Sequence, residues 1–404
     1  MSDAVAQNKS AYRWGFLSAL AVFVLAGLTG ASMRFGTIYG FPWGLQYTNV
    51  RHAHSHLMYF GWVTPALMAL IAAQLPTVSE RPLSSRFRWP IIVALVAGLL
   101  SFIPFLLFGY RPAIIAGRQL PLSVITAGLN IAGWYLFIWH YWREMRGVPR
   151  NYPLQLWDGA LVFLAFASLG GWGVAIVSRL LIEDPFYSLA FTHIFLDSFA
   201  FGWFTLAILG LAYTSNPAAA GSKLARYSIN LVVIGMPVIF LLGMPLHVVP
   251  PLVRGLGALG GLLVAAGFLG HIVVLWPLAG RKWKVPLFFL GLTGIMLLAN
   301  LVPSVAQWAT IAGLRITYLH WLLLGFVSLG LVTAAQECWG ADEIPGWGWM
   351  AAAILILIFS LMPLTTLWPA ALRGTWTRHF NAWASLGPAL VGAGILITVW
   401  WRRA

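Results

Sequence analysis

Three stretches of the chain place a residue able to bind a metal or a proton at one fixed distance from a glycine. Residues 56–64 read HLMYFGWVT, 197–205 read DSFAFGWFT and 320–328 read HWLLLGFVS. Aligned on Gly61, Gly202 and Gly325, each has an aromatic at the next position (Trp62, Trp203, Phe326) and a hydroxyl three positions on (Thr64, Thr205, Ser328). Five residues ahead of the glycine stand His56, Asp197 and His320. A neutral imidazole is the commonest protein ligand for haem iron, copper and zinc. Two such rings at one depth on different helices would suit a metal or haem held between them. The small residues also allow a simpler reading, in which three helices pack alike without a cofactor.

The other histidines gather near these stretches. His52, His54 and His56 form the run RHAHSH, and His193 stands four residues before Asp197, as His52 does before His56. An extended RHAHSH would turn all three rings to one face, as a copper or zinc site needs; a helical one would pair His52 with His56 and send His54 elsewhere. His193 and His247 are further candidate ligands for a second metal, with hydrogen-bonded helix-mouth histidines as the alternative. Met58 and Met244 are soft donors that would suit copper, or ordinary packing residues. His140 and His271 read as structural, and His379 as a solvated loop residue. Arg51, Arg315, Arg254 and Arg111 fall at helix ends, where a guanidinium can pair with a haem propionate or anchor to lipid headgroups.

These residues sit in a chain built for a bilayer. Of its 404 residues, 60% are hydrophobic and 8% charged, against about 25% charged in ordinary soluble domains. The formal charge of +14 comes from 24 Lys and Arg scattered over short loops. They form no basic block, so they indicate topology and contact with membrane lipids, not nucleic-acid binding. A single cysteine, Cys338, excludes an internal disulfide, a four-cysteine metal site and the paired attachment of c-type haem. The first apolar stretch, after Lys9 and Arg13, runs far enough to be a retained spanning helix, not a cleavable signal.

Apolar runs of spanning length centre near 14–33, 57–75, 89–109, 120–141, 156–181, 187–213, 226–245, 251–277, 285–302, 316–336, 348–369 and 381–401. The spacing predicts an all-α polytopic membrane protein, a single domain over 1–404 with about twelve transmembrane helices. With both termini on the cytoplasmic side, 15 of the 24 Lys and Arg lie inside, the bias expected of an inner (cytoplasmic) bacterial-type membrane. Seven of the nine histidines then lie towards the outer side. The three motifs fall on the second, sixth and tenth helices, one every four. That interval suggests three four-helix repeats, roughly 1–150, 151–280 and 281–404, around a pseudo-threefold axis.

In these features the chain resembles subunit I of the haem-copper oxidase superfamily, particularly its nitric oxide reductase and C-type branches, and the NnrS-type haem- and copper-containing membrane proteins. The likeness covers the chain in outline, and RHAHSHLMYFGWVTPALMAL is its most specific stretch. It implies a respiratory role in electron transfer or in oxygen or nitric oxide metabolism, with a cytochrome or other respiratory subunit as partner. It implies haem b, ligated by His56 and His320. His193 and His247 would then lie on the helices that carry the ligands of copper or a second iron. The chain departs from the pattern in three places. The seventh helix lacks a His-His pair, the tenth has Tyr318 where a high-spin haem ligand would stand, and the sixth reads THIFLDSF. These departures imply an incomplete binuclear centre. Two other classes fit the same composition: a copper or other metal permease with RHAHSH as its outer port, and a structural subunit of a respiratory complex.

Overall fold

The computed structural model describes residues 9–402; residues 1–8 and 403–404, which include the two ends assigned to the cytoplasm and Arg403, lie outside the described residues. Among the described residues, twelve helices are long and apolar enough to cross a membrane: α1 (Arg13–Tyr39), α2 (Tyr47–Ser79), α3 (Ser85–Phe108), α4 (Leu122–Glu144), α5 (Tyr152–Arg179), α6 (Pro185–Ser215), α7 (Lys223–Gly243), α8 (Pro251–Leu275), α9 (Arg281–Asn300), α10 (Leu314–Trp339), α11 (Trp347–Leu364) and α12 (Thr375–Trp401). The protein is therefore an all-α, multi-pass membrane protein, as the apolar runs predict. In hydrocarbon a spanning segment must satisfy its own backbone groups, and the α-helix does so within one segment.

Helix ends follow local chemistry. Asn151 caps α5 by accepting from the Leu154 N–H, and Asp184 caps α6 by accepting from the Phe186 N–H. Pro153, Pro185 and Pro251 sit in first turns, where a missing N–H costs nothing. Gly109 ends α3 with φ +59°; a side chain there would run into Asn49 of α2. Between α3 and α4 the sequence analysis missed a small hairpin. Strand β1 (Ala113–Ile115) pairs antiparallel with β2 (Arg118–Leu120), Ala113 opposite Leu120. Ala116 and Gly117 both have positive φ, the backbone of a tight two-residue hairpin turn.

The helices fall into two compact units. One takes in the chain up to Val148 and again from Leu331 onward; the other is Pro149–Gly330. In the first, α2 is buried at every position from His56 to Pro76. In the second, α6 is buried without a break from Ser198 to Tyr213. A helix apolar and buried on all sides is a core helix, and its neighbours carry the lipid-facing surface.

All three motifs adopt one local structure. Leu57–Val63, Ser198–Phe204 and Trp321–Ser328 are π-helical turns inside otherwise α-helical spans. Gly61, Gly202 and Gly325 are the fifth residue of each, and His56, Asp197 and His320 immediately precede them. Each glycine receives a side chain from the helix before it: Val22 of α1 at Gly61, Phe163 of α5 at Gly202, Phe289 of α9 at Gly325. A Cβ on Gly202 would lie 2.7 Å from Phe163 Cγ, and one on Gly325 2.6 Å from Phe289 Cδ2. The motif tryptophans Trp62 and Trp203 are fully buried, as are Trp134, Trp157 and Trp283. Abundant tryptophan alone suggests an interfacial belt; these five are core residues.

Gly202→Val should destabilise the protein by about 1–3 kcal/mol, the usual cost of overpacking, and lower its midpoint in a detergent thermal-unfolding assay. Gly394→Ala, where a Cβ meets nothing within 4 Å, should leave the midpoint unchanged. Asn49 donates to the Leu107 carbonyl and Arg111 to Gln46, so the hairpin lies at the RHAHSH end of α2. A cysteine in place of Gln119, exposed on β2, should therefore react with a membrane-impermeant maleimide in spheroplasts. Labelling only after lysis would reverse the assigned orientation.

Candidate functional site

RHAHSH is helical: Tyr47–His56 is the first part of α2. Of the two geometries open to the run, this one separates the rings. His54 leaves the other two and places Nδ1 2.8 Å from the Ala26 carbonyl of α1, over Gly30, where a Cβ would lie 2.8 Å from its ring. His52 turns towards the α3 end and meets Tyr110 edge-on, ring centroids 4.8 Å apart. Burial pushes the Tyr110 phenol above its ordinary pKa, and the Arg51 guanidinium partly offsets this, so Tyr110 presents a neutral hydroxyl group. His56 is buried and stacks on Phe105 of α3 at 3.6 Å and 23°, with Phe60 edge-on at 5.0 Å. His56 Nδ1 is inaccessible and has no hydrogen-bond partner. Arg51 is exposed.

In the second unit, His193 and Asp197 lie one turn apart on α6 with Nδ1 3.5 Å from Oδ2, longer than a charge-assisted hydrogen bond. The end of α7 closes over them: a Cβ on Gly243 would lie 2.9 Å from His193 Cε1 and 3.2 Å from Asp197 Oδ2. Tyr318 of α10 has a buried hydroxyl with no hydrogen-bond partner, within electrostatic range of Asp197. His320, half-buried, brings Nδ1 2.8 Å from the Ile316 carbonyl. That bond makes Nδ1 the protonated nitrogen and Nε2 the one with the lone pair, the orientation common to ligating histidines. His247 is exposed in the connection between α7 and α8, and Arg315 is exposed at the start of α10.

His56 and His320 thus hold equivalent places in the π-turn motif, one in each unit. Within its unit, His52 and His56 face the α3 side, towards Tyr110 and Phe105, while His54 faces α1; in the other unit His193 meets Asp197. Among the described residues, no three His, Cys, Asp or Glu side chains gather in a way that could hold a metal ion. The two histidines read as structural differ. His271 is fully buried and hydrogen-bonded through Nδ1 to the Tyr213 hydroxyl at 3.1 Å; His140 packs beside Trp139 and Phe87. His379 contacts the Tyr39 hydroxyl at 3.3 Å. Three participants went unseen in the sequence: Phe105, Tyr110 and Gly243. Each comes from another helix or its connection, and no periodicity marks them.

Compared with models of known protein families and with curated proteins, the sequence matches none.

The roles of two histidines separate cleanly by stability. His54→Ala removes the bond from α2 to α1, and loss of one buried partner costs about 1–3 kcal/mol. Its unfolding midpoint should fall, whereas that of His247→Ala, at an exposed position, should stay within error of the parent. Equal midpoints for the two would show that the His54–Ala26 bond contributes nothing.

Proposed function

We propose that this protein binds haem b through His56 and His320 and works in membrane electron transfer on a scaffold like that of oxidase subunit I. One observation carries the reading: histidine occupies the position directly before the π turn in α2 and again in α10, and such turns recur at functional sites. The donor chemistry fits. His56 has an uncommitted Nδ1 and packs among aromatic rings. His320 has its tautomer set by the Ile316 carbonyl. Arg51 and Arg315, exposed at helix ends, suit the haem propionates. Haem supplies a one-electron couple. The protein's own part is to hold both rings in place and to fix their orientation, at His56 by packing on Phe105 and at His320 by the bond to Ile316. The three motifs are then the cores of three four-helix repeats around a pseudo-threefold axis.

A second metal, copper or iron, would need ligands from His52, His54, His193 and His247. His54 is bonded to Ala26 and His247 is exposed, so we assign no oxygen- or nitric oxide-reducing step. Lipid contacts follow from the twelve apolar spans; a cytochrome or another respiratory subunit is the partner this reading calls for.

The purified protein should be red, and a pyridine haemochrome assay should report b-type haem. His56→Ala and His320→Ala should each convert the low-spin two-histidine signature to a high-spin form or abolish it. A colourless, correctly folded protein would instead favour the metal-permease reading, and a colourless one that co-purifies with respiratory subunits the structural-subunit reading.

A further inference from the structure

Helical serines and threonines commonly return their hydroxyl to a carbonyl three or four residues back. This protein does so repeatedly: Thr29 to Leu25, Ser79 to Leu75 and Thr293 to Phe289, each four residues back at 2.8–2.9 Å. The motif hydroxyls differ. Thr205 Oγ1 donates to the Ala200 carbonyl at 2.7 Å and Ser328 Oγ to the Leu323 carbonyl at 2.9 Å, both five residues back. At the third site the Thr64 backbone N–H donates to the Tyr59 carbonyl, again five back. Tyr59, Ala200 and Leu323 occupy one position, two residues before the motif glycine.

A π turn carries one residue more than the α turn it replaces, and one residue is about 100° of helix. It therefore swings everything before it by about that angle relative to everything after it. The residue immediately before each turn is His56, Asp197 or His320. The wide turn also strains its carbonyls away from α-type partners, which in hydrocarbon must find another donor. At two of the three motifs the hydroxyl of Thr205 or Ser328 supplies one; at the first, the Thr64 backbone N–H meets the Tyr59 carbonyl.

We infer that Thr205 and Ser328 are positioning residues: their hydroxyls hold the π turns of α6 and α10 open and so set the direction in which Asp197 and His320 leave their helices. The glycine two positions beyond the accepting carbonyl has a complementary part. It admits the side chain of the preceding helix (Val22, Phe163 or Phe289) against the widened turn. Without the hydroxyl, the segment relaxes towards α geometry and the ligand position turns away. The consequence for haem rests on the function proposed above; the register of the helix does not.

The test is a cysteine scan of the full chain with Cys338 replaced by alanine. Each residue from Arg315 to Leu322 is replaced by cysteine in turn, and reactivity with an aqueous maleimide is read as a periodic profile. In the Ser328→Ala background the profile should shift by about one position, or about 100°, and Ser328→Thr should restore it. If Ser328→Ala does not fold, Thr205→Val with a scan of Leu189–Leu196 reads the same shift on α6. An unchanged profile in a folded variant would overturn the inference. In haem-loaded protein, Ser328→Ala should weaken or lose the low-spin signature, again with rescue by threonine. The labelling needs no haem, so a chain that binds none defeats the haem reading while the scan still decides the role of the hydroxyls.

Discussion

Backbone hydrogen bonding in hydrocarbon is the constraint on which the rest of this structure depends. Every N–H and C=O in a spanning segment must find a partner inside the protein, which favours unbroken α-helix. Yet three spans interrupt their α ladder with a π turn, each at a buried position and each ending in a hydroxyl residue. Such an interruption persists where side chains resatisfy the displaced carbonyls and where a neighbouring helix fills the altered groove. Here Thr205 and Ser328 donate to carbonyls five residues back, and the preceding helix packs a side chain against each motif glycine. Hydrogen bonding and packing thus act on the same few residues.

The same constraint explains the different fates of the histidines. A buried imidazole costs free energy unless its donor is bonded. His54, His320 and His271 each place Nδ1 near an acceptor or hydroxyl: the Ala26 carbonyl, the Ile316 carbonyl and the Tyr213 hydroxyl. His56 does not, although it is just as deeply placed and lies against Phe105. The His193–Asp197 pair at 3.5 Å is similarly short of a hydrogen bond. Polar groups left in that condition are rare in native interiors; His56 stands directly before one π turn and His193 one helical turn before Asp197, which precedes another.

Much of this was legible in the sequence, for physical reasons that differ by level. Twelve spans could be read because the bilayer demands about twenty apolar residues per helix, and the observed helices agree within a few residues at most ends. The motif could be read because residue identity recurs at fixed spacing. Its meaning could not: nothing in HLMYFGWVT marks a π turn, since an inserted residue leaves the apolar pattern of a fully buried helix unchanged. The hairpin after α3 also went unseen, because its strands are three residues long and show no clear alternation. RHAHSH was open between two geometries, and the choice came from its continuity with a long helix.

By itself, then, the sequence determined that the chain lives in a membrane as a multi-helix protein, and which helices carry the polar residues worth explaining. Composition and periodicity are local and repeat along the chain, so they survive without knowledge of neighbours. Tertiary structure alone decided where each ring points. His54 turns to α1, His52 to Tyr110 and His56 to Phe105 because adjacent helices offer a carbonyl, a phenol and an aromatic face at those heights. Tyr318 and Asp197 fall within range of one another although they lie more than a hundred residues apart in sequence. Such relations depend on how helices pack, which no spacing along one chain encodes.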